Sequence, residues 1–572
     1  MMPVISIGNQ NFESIRINHA FYIDKTLFIK EWWEGQDIVT LITRPRRFGK
    51  TLNMSMVEQF FSNRYAGRAD LFEGLDIWKD EKYHKLQGGY PVIALSFADV
   101  KGSNYETARD GIVQIIIDIY TQFGFLLKEN ELSEEERTYF SYVKGDMPDA
   151  VAAMSLKRLA ACMHSCYGKK AIILLDEYDT PLQEAYVHGY WEELASFIRS
   201  LFNSTFKTNP WLERGLLTGI TRVSKESIFS DLNNLEVVTT TSAKYGAAFG
   251  FTEEEVFKAL EQNGQASERE MVKSWYDGFI FGNCPDIYNP WSITKFLDSG
   301  EYGTYWTDTS ENSLVSKLVK EGSPQIKMCF ERLLAGNELE AEFDEQVVFE
   351  QLQQKKGAVW SLLLASGYLK VVKKLLDKRT GRPVYNLKIT NHEVMLMFEN
   401  IINGWFSEES TSYGNFRDAL LAGNLDYMNR YMNEIAVQTF SSFDIGNRPS
   451  VQAEPERFYH GFVLGLIVDL ADRYRITSNR ESGFGRYDVM MEPMEDGMSA
   501  MILEFKVFHP AKERDLTDTV QSALRQIEEK QYDEELTARG ISKDRIRHYG
   551  FAFEGKHVLI GEQINEMDEK RS

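Results

Sequence analysis

Two groups of residues in this chain have the types and spacing for phosphate chemistry. The first is "RPRRFGKT", Arg44 to Thr51, ending in Gly49-Lys50-Thr51 just after the apolar run Ile38 to Ile42. Backbone N–H groups and a helix N-terminus can face phosphates there. Lys50 can neutralise β and γ oxygens, and the Thr51 hydroxyl can ligate Mg2+. Arg46, Arg47, Phe48 and Leu52 complete the expected nucleotide-binding loop. Arg44 stands where the first glycine of such a loop belongs. Glycine there would accept a positive φ without cost, and arginine would bring a third cation toward the phosphates. The loop's counterpart is "KAIILLDEYDTPL", residues 170–182, an apolar run ending in acids. Asp176 is placed to hold Mg2+ through water, and Glu177 to orient or deprotonate an attacking water. Together they point to ATP with Mg2+ as cofactor.

The second group lies in the last quarter. Two strands are expected, "RYDVMMEP" (486–493) and "SAMILEFKVF" (499–508), joined by the turn residues "MEDG". They carry Asp488, Glu504 and Lys506, and the period of two puts Glu504 and Lys506 on one face. Asp488 and Glu504 can hold Mg2+, which activates water and offsets charge on a leaving oxygen; Lys506 can position the nucleophile. An exposed sheet face would show the same letters. However, "ILEFKVF" is otherwise apolar, and a carboxylate and an ammonium on a buried strand are costly unless paired or functional.

The elements that must position these groups follow from the pattern. Strand (38–43), loop, then "KTLNMSMVEQFF" with helical spacing is the context a phosphate loop requires. "GGYPVIALSFADV" reads as an intervening strand and "RGLLTGITRVSK" (214–225) as a fourth, with helices at 107–127 and 190–205 between them. Such alternation predicts a mostly parallel sheet with right-handed crossovers. Thr218 or Thr221 could sense the γ-phosphate. Arg222 could stabilise transition-state charge in cis or in trans, or serve in a structural ion pair. From "GFTEEEVFKAL" onward the pattern is helical, with Thr252 and Glu255 forming a capping box, and "WYDGFIFG" and "YNPW" read as tight turns around a packed core. "YLKVVKK" and "VYNLKI" read as a hairpin, and the run "KVVKKLLDKRTGR" (370–382) as either its solvated turn or a basic groove.

Composition bounds the rest. A chain of 572 residues needs three or so folding units, and 43% apolar content supplies their cores. Cys162-x3-Cys166 around His164 falls in an amphipathic helical stretch and reads as core packing. Four scattered cysteines suggest a reducing compartment. No N-terminal leader pattern is apparent, and no apolar run approaches the roughly 20 residues that cross a bilayer. A cytoplasmic protein with no membrane partner is expected. A net charge of -21 excludes a general nucleic-acid coat but not a local groove.

The strings "FYIDKTLFI", "RPRRFGKT", "LLDEYDTPL", "LLTGITRVSKESIFSDLNN" and "WYDGFIFGNCPDIYNPWSI", with "LASGYLKVV" and "LKITNHEVMLMF", resemble the bacterial AAA-ATPase-like family often fused to a PD-(D/E)XK nuclease domain. The resemblance implies that replacing the first loop glycine is a family habit. It also implies that Glu456 is the acid on the nuclease's first helix, that Gln526, Lys530 and Tyr532 line its site, and that "HYGFAFEGKHVLIG" closes its sheet. His460 reads as a helix-packing residue.

The expected organisation is α/β throughout. Residues 1–245 form a P-loop ATPase core, 246–345 a helical or winged-helix lid, 346–445 a mostly helical connector with a hairpin, and 446–572 a PD-(D/E)XK nuclease-like domain. The function expected is an ATP-binding and ATP-hydrolysing switch coupled to Mg2+-dependent cleavage of DNA or RNA, plausible in defence against phage or mobile elements. The alternative is a nucleotide-regulated module that binds nucleic acid or a partner without cutting. By analogy with related ATPases, a homo-oligomer is expected.

Overall fold

The computed structural model describes residues 3–222, 228–229, 232–307, 324–334, 336–342, 356–379, 382–407, 413–439, 463–464, 466–467, 470, 472–478, 481–482, 485–486, 488–495, 497–510, 512–555 and 557–563. The chain divides into two compact units, one of residues 1–315 with 336–397, the other of residues 316–335 with 398–572. The expected lid and the first part of the expected connector thus fall largely with the ATPase sheet.

The first unit is organised on a parallel sheet of β1 (Val39–Thr43), β2 (Val92–Ser96), β3 (Ala171–Asp176), β4 (Leu212–Gly219) and β5 (Leu235–Val238), in the order β2-β3-β4-β1-β5. All of β1 and β3 is buried, as strands covered on both faces require. Met56 and Phe60 of the helix Lys50–Phe61 share a core with Ile42, Ile172, Leu174 and Leu216. The alternate residues Ile173 and Leu175 are equally buried. The helices Tyr105–Gln122, Asp149–Tyr167 and Trp191–Phe202 agree with the helical periodicities, and Cys162 is buried within the second of them. Because β4 lies between β1 and β3, the loop after β1 and the acids after β3 flank its end.

Two differences from expectation have local causes. β4 stops at Gly219 instead of running to residue 225, because the Asp179 carboxylate takes the N–H groups of Ile220 (3.1 Å) and Thr221 (2.8 Å). β5 has only four residues, too short to show a period. After it come β6 (Phe251–Thr252), β7 (Phe279–Phe281) and β8 (Cys284–Tyr288), a sheet in the order β6-β8-β7, so "GFIFG" forms a strand where a tight turn was expected. The capping box of Thr252 and Glu255 starts the helix Glu253–Gln262 as expected. β9 (Leu339–Glu342), β10 (Leu369–Leu376) and β11 (Pro383–Ile389) form an antiparallel sheet containing the expected hairpin. The lysines of that hairpin are mostly exposed, but Glu340 and Glu342 lie in the same small sheet, so it is no uniformly basic groove.

In the second unit β12 (Tyr474–Ser478) is followed by a short ribbon of β13 (Glu481–Ser482) and β14 (Gly485–Arg486). Then come β15 (Val489–Pro493), β16 (Ala500–Val507), β17 (Ile546–Glu554) and β18 (His557–Gln563). The mixed sheet runs β12-β15-β16-β17-β18, with only β16 and β17 parallel. Met490 and Ile502 pack on Val520, Leu524 and Ile527 of the helix Leu516–Glu529. Val489, Met491, Met501 and Leu503 join Leu420, Met428 and Met432 in the other core. Edge strand β18 is covered by Asn429 and Asn433. Each amide donates to and accepts from the backbone of one strand residue, Ile560 and Val558 respectively, at 2.6–3.0 Å. That pairing blunts an edge otherwise open to another strand.

Candidate functional site

At the N-terminal site the loop after β1 enters the helix Lys50–Phe61 through Gly49, whose φ is +78°. The Lys50 side chain is almost fully buried. Its Nζ donates to the carbonyls of Arg44 (3.2 Å) and Pro45 (3.1 Å) and pairs with Glu177 Oε1 at 3.2 Å. The Thr51 hydroxyl donates to Asp176 Oδ2 at 2.6 Å, and the Thr218 hydroxyl donates to Asp176 Oδ1. The structure therefore brings Lys50, Thr51, Asp176, Glu177 and Thr218 together. Burial, and then the charge of Glu177, hold the Asp176 carboxyl above its ordinary range. A cation bound there would reverse that balance.

Glu177 sits at φ +50°, an uncommon conformation for a side chain this size and a frequent mark of functional sites. The residues after it hold it there: Tyr178 donates its N–H to Thr218 O and its hydroxyl to Thr221 O. Asp179, fully buried, accepts from the Thr221 hydroxyl (2.6 Å) and from Gln183 (3.0 Å). A Cβ on Gly219 would lie 2.5 Å from Asp179 Oδ1, so that close approach needs glycine. Thr221 is committed to Asp179, which leaves Thr218 as the strand threonine at the site. Arg222 follows, half-buried, and its Nε has no hydrogen-bond partner among the described residues. Among the described residues no hydrogen bond or ion pair joins it to Lys50 or Asp176.

Arg44 does not behave as its position suggests. The positive φ values in the loop fall on Arg47 (+65°) and Gly49, so arginine at 44 meets no backbone strain. Its guanidinium is buried and turned away from the loop's mouth, donating to the carbonyls of Thr43 (2.9 Å) and Thr239 (2.8 Å) and lying 4.6 Å from the Phe281 ring. Burial lowers its pKa to about 9. Of the three loop arginines only Arg46 and Arg47 remain for the phosphates, beside Lys50. Phe48 is buried against Phe279 and Phe281, and Leu52 packs on the core, so both can meet a phosphate only through backbone N–H groups.

At the C-terminal site Gln526, on the helix Leu516–Glu529, bridges two strand residues. Its Oε1 accepts from Lys506 Nζ at 2.6 Å, and its Nε2 donates to Glu504 Oε1 and to the Tyr532 hydroxyl (3.3 Å). Glu504 and Lys506 thus share a face of β16, and Glu504 is 2% exposed. Asp488 lies one residue before β15 instead of within it. Its Oδ2 takes the N–H of Phe505 at 2.8 Å, in the place a backbone partner would occupy. Burial pushes the Tyr532 hydroxyl up to about 12. Glu456 and His460 lie outside the described residues.

Both donor sets fit a hard divalent cation. A threonine hydroxyl beside a buried carboxylate at one site, and a carboxylate on β16 with another just before β15 at the other, are the oxygen ligands Mg2+ takes.

Residues 6–229 match the family model of a predicted AAA-ATPase, and residues 454–563 match that of the PD-(D/E)XK nuclease superfamily. The chain is thus similar to a predicted AAA-ATPase over its first matched stretch and to the PD-(D/E)XK nuclease superfamily over its second. The AAA-ATPase-like match spans β1 to β4 and both clusters that flank them. The nuclease match spans Asp488, Glu504, Lys506 and Gln526. An uncharacterized protein in the vnfD 5′ region of Azotobacter chroococcum mcd 1 is 25% identical over 556 residues, 94% of each chain. Among the described residues no helix is long and apolar enough to cross a membrane.

The motifs did not announce Asp179, Asn289 or Glu393. Glu393 is fully buried and accepts from Ser292 Oγ (2.9 Å) and the Trp306 N–H (2.5 Å), a structural role with no local sequence signal. Asp179 precedes Thr-Pro and reads as a helix cap, yet its carboxylate serves the β4 loop.

Proposed function

We propose that the protein binds and hydrolyses ATP with Mg2+ and couples that cycle to Mg2+-dependent cleavage of DNA or RNA, in the reducing interior of a bacterial cell. The proposed division is a P-loop core over 1–245, a lid over 246–345, a connector over 346–445 and a nuclease domain over 446–572. In this reading Lys50 and the backbone of residues 46–52 hold the phosphates. Thr51 and Asp176 hold the metal, Glu177 takes a proton from water, and Arg222 answers charge in the transition state. At the second site Asp488 and Glu504 hold the metal, Glu456 is the further catalytic acid, and Lys506, oriented by Gln526, positions the attacking water. Bound Mg2+ supplies Lewis acidity and a more acidic water.

The observation that carries the cutting reading is the Gln526 amide tying Lys506 to Glu504 on a strand with a buried carboxylate. The test is a panel of single-stranded DNA, double-stranded DNA and RNA with Mg2+ or Mn2+, with and without ATP. Wild type should cut at least one substrate and Glu504→Ala none. No cleavage by wild type of any substrate would leave the binding module as the better account. Defence against phage or mobile elements is the setting we propose for such an enzyme, and self-association would let Arg222 act across subunits.

A further inference from the structure

Every residue from Arg44 to Phe48 touches a group outside the loop and beyond residue 238. Arg44 donates to Thr239 O, and the position a Cβ would take on Gly367 lies 2.7 Å from Pro45. The Arg46 carbonyl accepts from Asn289 Nδ2 at 3.4 Å, across 243 positions of sequence. Arg47 lies over the Trp291 ring at 4.4 Å. Phe48 accepts from the Gly250 N–H (3.3 Å) and packs on Phe279 and Phe281. The Gly250 contact is close: a Cβ there would lie 3.0 Å from the Phe48 ring.

Asn289 is fixed for its part. Nearly fully buried, it caps the helix Pro290–Ser299, its Oδ1 accepting from the N–H groups of Trp291 (2.8 Å) and Ser292 (3.3 Å). One side chain therefore sets both the loop backbone at Arg46 and the start of the helix that presents Trp291. Lys295, one turn on, lies over the same ring at 5.5 Å. Among the described residues, Arg46, Arg47 and Lys295 have no carboxylate partner. In a chain of net charge -21 these are uncompensated cations gathered at a phosphate loop. A guanidinium stacked on an indole uses its face and keeps its in-plane N–H groups for an anion.

We propose that Asn289 and Trp291 are positioning residues of the nucleotide site, holding the loop backbone and Arg47 for the terminal phosphate. Both lie beyond the AAA-ATPase-like match, which ends at residue 229. The inference rests on the ATP-site reading above and assigns that site two residues its motifs do not contain. The non-glycine left-handed backbone at Arg47 is what such external support maintains.

The test is the affinity of the full-length chain for Mg-ATP in wild type, Arg47→Ala, Trp291→Ala, their double variant and Asn289→Ala. Arg47→Ala and Trp291→Ala should each weaken binding about 5-fold. The double variant should lose about 5-fold and not the roughly 25-fold of independent sites. Asn289→Ala should weaken binding, and Trp291→Phe should restore most of the affinity. Unchanged affinity in Trp291→Ala, or losses that multiply, overturns the proposal. If Trp291→Ala fails to fold, Trp291→Leu against Trp291→Phe carries the same comparison. Lys50→Ala separates the two levels: unchanged binding there sinks the ATP-site reading itself, whereas loss there with Trp291 variants unaffected sinks only this inference.

Discussion

At the end of β3, Asp176 and Asp179 each rest on threonine hydroxyls drawn from other elements. On β16, by contrast, Glu504 and Lys506 rest on the single amide of Gln526. A hydroxyl donating to a carboxylate favours its anionic form, so at Asp176 the two threonines oppose the burial that raises it. An amide has both a donor and an acceptor, so the second fixes an acid and an ammonium at once. The ATPase-like site is therefore distributed: hydrogen bonds reach its loop from as far as 243 positions away, and no one hydroxyl sets its geometry. In the nuclease-like site one side chain, Gln526, holds both Glu504 and Lys506, while Asp488 takes the Phe505 N–H.

Five substitutions follow, from the largest expected effect to the smallest, and the first four probe that contrast. Lys50→Ala should reduce Mg-ATP affinity by about 1,000-fold, because it removes a preorganised cation from a water-poor site; calorimetric titration reads it directly. Arg44→Gly restores the familiar loop glycine, yet should lower unfolding stability by about 3 kcal/mol and gain no nucleotide affinity, since it strips a buried cation from the carbonyls it serves. Denaturant melts would show it, and a more stable variant would contradict the placement of Arg44.

Gln526→Ala should slow cleavage roughly 30-fold by freeing both Lys506 and Glu504, whereas Thr218→Val should slow ATP hydrolysis only about 3-fold, since Asp176 keeps its bond from Thr51. Equal losses would erase the distinction between the sites. Asp277 gives the smallest effect. Burial, then the charge of Asp286, raises its pKa from 3.8 to about 6, so its native form binds a proton more tightly than the unfolded chain. Its contribution is fully present below pH 3.8 and is lost as pH rises through 6. Asp277→Asn should raise the melting temperature slightly at pH 7.5, with the gain fading toward pH 4.

What was legible in the sequence was local. Gly49-Lys50-Thr51, the apolar run ending in Asp176-Glu177, the capping box at Thr252 and the alternation around Glu504 each carry their meaning within a dozen residues, and the structure forms the strands and helices they predict. What was not legible depends on distant partners. Arg44 reads as a phosphate-loop cation until Thr239 and Phe281 are placed beside it. β4 reads as running to residue 225 until Asp179 takes its next two N–H groups. Asp488 reads as a strand residue until Phe505 claims its carboxylate. In each case a polar side chain replaces a backbone partner, which no periodicity reveals. The aromatics of "YNPW", read as packing, include the tryptophan beneath Arg47.

The measurement that bears most directly on the central claim is the rate of Mg2+-dependent cleavage by wild type and by Lys50→Ala, each with and without ATP. An ATP-controlled nuclease predicts that the wild-type rate changes with ATP, while Lys50→Ala cuts at one rate in both conditions. A Lys50→Ala protein that still responds to ATP, or a wild type whose cleavage ignores it, would contradict the account.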